Sequence, residues 1–123
     1  MALPRIDAHC WVVRNHIIID PWFHEYTIIA LIRGTTHERI YKEAPLDTQR
    51  SLEEIFMRWY RITNETLVDV PIQYGECYRN AILEIYLHGG ELRIGSLGFR
   101  RADGSVWYEY GSDSYSDVHD FIK

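Results

Sequence analysis

The stretch HCWVVRNHIIIDPW, residues 9–22, places two apolar runs, residues 11–13 and 17–19, on either side of Arg14-Asn15. That rhythm is the signature of a β-hairpin. With Arg14-Asn15 as the turn, Val13 pairs with His16, and counting outward sets His9 opposite Asp20. Directly opposed residues have Cβ atoms about 4.5–5.5 Å apart on one face of a sheet. At that distance a carboxylate can hold an imidazole in one tautomer and stabilise its charged form. A loop one or two residues longer would shift the register. Cys10 falls on the opposite face from His9, where a cysteine behaves as a small buried hydrophobe.

A second stretch, YGECYRNAILEIY (residues 74–86), supplies a nucleophile. Gly75 breaks the extended segment before it. The chain then takes up a helical pattern in which Ala81, Ile82, Ile85 and Tyr86 form the expected buried face. His88-Gly89-Gly90 suits the C-terminal end of that helix. Cys77 therefore belongs to the first turn, where unpaired N–H groups and the helix dipole favour an anion. Cysteine pKa values fall from about 8.5 towards roughly 3.5–7.5 in such positions. The thiolate is the reactive form, so Cys77 rather than Cys10 is the candidate nucleophile, with His9 as base and Asp20 as the carboxylate that orients it.

The rest of the chain fills in a fold. Residues 26–33 (YTIIALIR) are a continuous apolar run, suited to a buried strand or a short helix. Residues 37–41 suggest a strand, broken by Glu43-Ala44-Pro45. A helix is expected from about residue 48 to residue 62. Ser51 and Glu54 have capping-box spacing there, and Leu52, Ile55, Phe56, Trp59 and Tyr60 make one apolar stripe. Residues 67–72 lead to the cysteine helix. Residues 92–101 and 105–110 flank Ala102-Asp103-Gly104, a strong hairpin signal. Residues 111–120, rich in Ser, Asp and Tyr, are expected to be an acidic surface loop. Together these elements predict an α+β domain spanning residues 1–123: an antiparallel sheet with two main helices packed on it.

Composition narrows the classes. A chain of 123 residues with nine Tyr and four Trp has the material for one core, and its apolar content argues against disorder. A net charge of −5 lacks the basic stripe of a nucleic-acid binder. No apolar run approaches the roughly 20 residues of a membrane span, and MALPRIDAH lacks the apolar stretch of a signal peptide. Two cysteines on such a chain predict reduced thiols in a cytoplasmic setting, although a Cys10–Cys77 disulfide would be compatible with the count and would disable the site. Oligomeric state is not legible.

His-x-Trp followed by a strand ending in Asp-Pro resembles the histidine and aspartate strands of papain-like hydrolases of the NlpC and transglutaminase types. Cys77-Tyr78-x-Asn80-Ala81 opening a helix resembles the nucleophile helix of small bacterial and phage-type members, and residues 93–99 (RIGSLGF) resemble the strand after it. The order His9, Asp20, Cys77 resembles the circularly permuted NlpC-type branch, and also SUMO-protease and adenovirus-protease-like enzymes, in which a Gln before the Cys lines the oxyanion hole. Gln73 is the counterpart here, although it stands nearer the cysteine than in those families, and their usual Cys-Gly is Cys77-Tyr78. The resemblance implies a permuted papain-like fold and a thiol hydrolase or acyltransferase. Its substrate would be a peptide or acyl compound with an amide, ester or thioester bond, and it would need no cofactor. Trp11, Trp22 and Phe23 are either pocket walls beside His9 or ordinary core.

Two other classes compete. A binding or inhibitory module would keep the fold without the chemistry. A metal centre would use His9, Cys10, His16, Asp20 and His24, but no Cys-x-x-Cys or His-x-x-x-His spacing supports it.

Overall fold

The structure is a computed structural model and describes residues 6–21, 38–65, 76–111 and 118–122. Its elements are β1 (His9–Arg14), β2 (Ile17–Ile19), β3 (Glu38–Glu43), α1 (Leu46–Glu65), α2 (Glu76–His88), β4 (Glu91–Arg100) and β5 (Val106–Tyr110), followed by a 3-10 turn at Val118–Asp120. Every strand pairing is antiparallel, in the order β2-β1-β4-β3 with β5 also on β4. The chain is thus α+β, with two helices packed on an antiparallel sheet, as its pattern predicts.

β4 is the hub. Its first half pairs with β1 (His9 with Gly95, Val13 with Glu91) and its second half with β3 (Glu38 with Arg100, Tyr41 with Leu97). β5 also pairs with that second half, from Leu97 with Tyr110 to Arg100 with Val106. β3 and β5 therefore flank β4 on opposite sides, and β1 and β5 lie end to end along one edge. His9 at the start of β1 and Tyr110 at the end of β5 meet at this seam. Opposite the seam, β3 presses close: a Cβ on Gly95 would overlap the Lys42 carbonyl oxygen and lie 2.9 Å from the Ala44 nitrogen.

Strand alternation divides the sheet into two faces. Cys10, Val12 and Ile94 form a core with Leu52 and Phe56 of α1, Tyr78 and Ala81 of α2, and Phe121. The other face carries His9, Trp11, Tyr41, Leu97, Phe99 and Tyr110, with Leu97 and Phe99 buried under Tyr41 and Tyr110. Gln49 ties the layers: its side-chain amide donates to the Ala44 carbonyl (2.8 Å), and its oxygen accepts the Ile94 N–H (2.9 Å).

Several details depart from expectation. α1 begins at Leu46 rather than near residue 48. The Pro45 carbonyl takes the Gln49 N–H, and Ser51 donates to the Asp47 carbonyl from inside the helix instead of capping it. In α2 the buried stripe is Tyr78 and Ala81, with Cys77 and Ile85 packed beside them, while Ile82 and Tyr86 are exposed. The first turn, not the second, sets that face. The predicted end of α2 holds: Gly89 and Gly90 take φ of 80° and 116°, and the Gly89 N–H bonds to the Ile85 carbonyl. The β4–β5 hairpin also forms as read, with Asp103 accepting the N–H and hydroxyl of Ser105.

Of the expected acidic loop at 111–120, residues 112–117 lie outside the described residues, and His119 and Asp120 are exposed. Phe121 is fully buried, Ile122 bridges Ile6, and the Asp7 N–H donates to the Phe121 carbonyl. One aromatic in a polar segment anchors the end of the chain to its beginning. The runs at 26–33 and 67–72, and the side chains of Trp59 and Tyr60, lie outside the described residues.

Candidate active site

The hairpin that carries His9 and Asp20 turns one residue later than predicted. Asn15 and His16, at φ of 53° and 64°, form its two-residue loop, and Arg14 pairs with Ile17. Two positive φ values make this a type I′ turn, whose twist matches that of the strands. Moving the turn by one residue moves the register by two, so Asp20 falls level with Trp11 rather than His9. A shift of two preserves the face. Asp20 therefore stays on the His9 side and reaches it diagonally, with Oδ2 at 2.7 Å from Nε2. The predicted pair is present, and the predicted register is corrected.

Asp20 has a further partner that the sequence did not reveal. The Tyr41 hydroxyl donates to the same Oδ2 at 2.8 Å. Tyr41 sits on β3, and only the order β1-β4-β3 brings it to this face. Around the imidazole, Tyr110 stacks at 5.4 Å between ring centroids and Trp11 at 6.2 Å, while Tyr41 meets Trp11 edge-on at 5.1 Å. His9 has no solvent exposure. Trp11 is buried beside the imidazole, as the core reading expects, whereas Trp22, Phe23 and Gln73 lie outside the described residues.

Cys77 enters from α2. This helix runs alongside β1 in the same direction: its start lies by Cys10, and its end meets Arg14, whose guanidinium is 3.4 Å from Glu84 and 3.3 Å from the Gly89 carbonyl. Cys77 packs against the core cluster that contains Cys10, and the neighbouring Cys10 and His9 both act on the ionisation of its thiol. Among the described residues the β2 ladder ends at Val12, and α2 packs on the face of the sheet that carries Cys10 and Val12. Cys10 is a fully buried member of the core on the face opposite His9, as its place in the strand predicts, and both cysteines are free thiols.

The electrostatics follow from these contacts. Burial on its own would push His9 down, but hydrogen bonds to Asp20 and Cys77, together with their charges, lift it from 6.5 to about 9. For Cys77 the hydrogen bond from the Cys10 thiol is the largest influence. Burial opposes it, and the hydrogen bond and charge of His9 add to it, so the thiol is lowered from 9.0 to about 5. Burial, and then the neighbouring Cys77 thiolate, push Cys10 well upward, so it stays protonated. Burial and Asp20 likewise raise Tyr41 and keep its hydroxyl a donor. Both shifts run in the direction that favours a charged imidazole and a thiolate at neutral pH, with the imidazole hydrogen-bonded to a carboxylate.

Among the described residues, no group of three or more His, Cys, Asp or Glu is placed to hold a metal; His24 lies outside them. No described helix is long and apolar enough to cross a membrane. Comparison with protein-family models, with curated proteins and with solved structures finds no match to this chain.

Proposed function

We propose that this chain is a thiol hydrolase or acyltransferase with a permuted papain-like arrangement, in which Cys77 is the nucleophile, His9 the acid–base group and Asp20 the orienting carboxylate. One observation carries the reading: His9 joins Asp20 at 2.7 Å while Cys77 is held as a thiolate beside it. A thiolate braced in this way attacks the carbonyl of an amide, ester or thioester. With Nε2 taken by Asp20, Nδ1 is the nitrogen through which His9 passes a proton to the leaving group. Water or an acceptor amine then releases the acyl group from sulfur. The Cys77 backbone N–H, one of the unpaired donors of the first turn of α2, is available to the oxyanion, with Gln73 as its proposed companion. The substrate is a peptide or small acyl compound, and the chemistry needs no cofactor.

Incubation with activated acyl esters and thioesters tests this reading. An acyl adduct should map to Cys77 by mass spectrometry and turn over slowly, and Cys77→Ala should abolish both adduct and hydrolysis. Hydrolysis that survives in Cys77→Ala would rule out covalent thiol catalysis.

A binding module is the second reading, favoured by the complete burial of His9 between aromatic rings. It requires Cys77 to form no adduct. The His9–Asp20 pair at 2.7 Å and the lowered Cys77 thiol favour the hydrolase reading.

A further inference from the structure

Cys10 takes no step in the proposed hydrolysis, yet it is the largest single influence on the sulfur that does. Cys10 is fully buried and belongs to the core cluster on which Cys77 packs, and each thiol acts on the ionisation of the other. We propose that Cys77 is a site of reversible oxidation by peroxides, and that Cys10 is the resolving thiol that converts the oxidised sulfur to an intramolecular disulfide.

Three features fit that chemistry. A peroxide-sensitive cysteine is an accessible thiolate, and Cys77 is partly exposed and stabilised as an anion by neighbours. A resolving thiol must be at hand before a second peroxide arrives, and Cys10 lies in the core cluster on which Cys77 packs. The joint between them also lies at a helix end, because Cys77 is in the first turn of α2. A disulfide holds its sulfurs at roughly 2.05 Å, so closure draws that turn towards β1.

The steps balance. The Cys77 thiolate attacks one peroxide oxygen, the O–O bond breaks, and Cys77 sulfenic acid and hydroxide result. The Cys10 thiol then gives up its proton and attacks the sulfenic sulfur. The S–S bond forms, the S–O bond breaks, and water leaves. Overall, two thiols lose two electrons and two protons, and one peroxide becomes two waters. The disulfide removes the nucleophile from His9, so a hydrolase would be switched off until a dithiol reduces it.

Treatment of the reduced full chain with an equivalent of hydrogen peroxide, followed by peptide mapping, tests the proposal without any hydrolytic assay. The expected product is a Cys10–Cys77 linked peptide lacking two hydrogens. Both free thiols should disappear together and return with dithiothreitol. In Cys10→Ser the sulfenic acid on Cys77 should accumulate, become trappable by dimedone, and pass to irreversible sulfinic acid at higher peroxide. Wild-type protein that accumulates Cys77 sulfenic or sulfinic acid while Cys10 stays free would overturn the proposal, as would thiols that both survive. Neither result bears on whether Cys77 forms acyl adducts.

Discussion

At the residue scale, the two shifted groups define a pH window. His9 is raised, so the stability it contributes is complete below about 6.5 and lost as pH rises through about 9. Cys77 is lowered, so its contribution is complete above about 9 and lost as pH falls through about 5. The thiolate–imidazolium pair therefore persists between those limits. Alkylation of Cys77 by iodoacetamide should be nearly independent of pH from about 6 to 8 and fall off below about 5, whereas buried, protonated Cys10 should label far more slowly. A rate for Cys77 that climbs steadily from pH 6 to 9, as an ordinary thiol's does, would contradict the pair. Asp20→Asn removes the charge and the strongest bond that hold His9 up. The alkaline limb of any acyl-transfer profile should then move to lower pH, and the rate should fall by about 10³–10⁴.

At the element scale, the site depends on how β1 is held from its two sides. On one side, the Asn15-His16 turn sets the register of β1 against β2. His16 occupies a left-handed position at φ 64°, which costs a non-glycine residue about 1–2 kcal/mol. His16→Gly supplies the Asn-Gly pair preferred by type I′ turns. After the extra unfolded-state entropy of glycine, it should raise stability by about 0.5 kcal/mol in urea titrations, and the His9–Asp20 pair should be unaffected. On the other side, Gly95 pairs with His9 across the β1–β4 ladder while β3 backbone occupies the space of a Cβ. Gly95→Ala sets a methyl against backbone that cannot rotate away. It should cost about 1–3 kcal/mol and slow Cys77 alkylation by disturbing the strand that carries His9. Unchanged stability would mean that β3 yields there freely.

These elements also show what was legible beforehand. The His9–Asp20 pair could be read despite a turn placed one residue early, because side chains on a strand repeat every two residues and the resulting error was two. The start of α2 at Cys77 was legible from the glycine before it and the glycines after it, which are local signals. Tyr41 was not, because its hydrogen bond depends on strand order, and the sequence separation of β1, β4 and β3 leaves no local trace of it. Nor was the packing of Cys77 on the core that holds Cys10. Alternation correctly put Cys10 on the opposite face from His9, but nothing in the sequence showed where the start of α2 would land on the sheet.

At the scale of the whole molecule, the site lies where the beginning of the described chain is closed by its end. Ala8, His9 and Cys10 are buried, and just before them Ile6 and Asp7 are tied to Ile122 and Phe121. Phe121 fills the core shared by α1, α2 and β1. The stretch rich in Ser, Asp and Tyr just before it reads as solvated, and Val118, Phe121 and Ile122 are too few to show a period. Phe121→Ala should cost about 3–5 kcal/mol, as the loss of a buried aromatic does when the cavity cannot collapse. Against a typical total of about 5–15 kcal/mol, that is a large share of the stability. Because Phe121 anchors the strand that leads into His9, the same variant should also loosen Cys77 from its partners. Under conditions where it stays folded, the acid limb of Cys77 alkylation should move towards the value of an ordinary thiol. Urea titration and the alkylation profile measured on one preparation separate the two effects. A variant with lowered stability and an unchanged profile would show that the terminal clasp supports the core alone and leaves the thiolate pair to α2 and the hairpin.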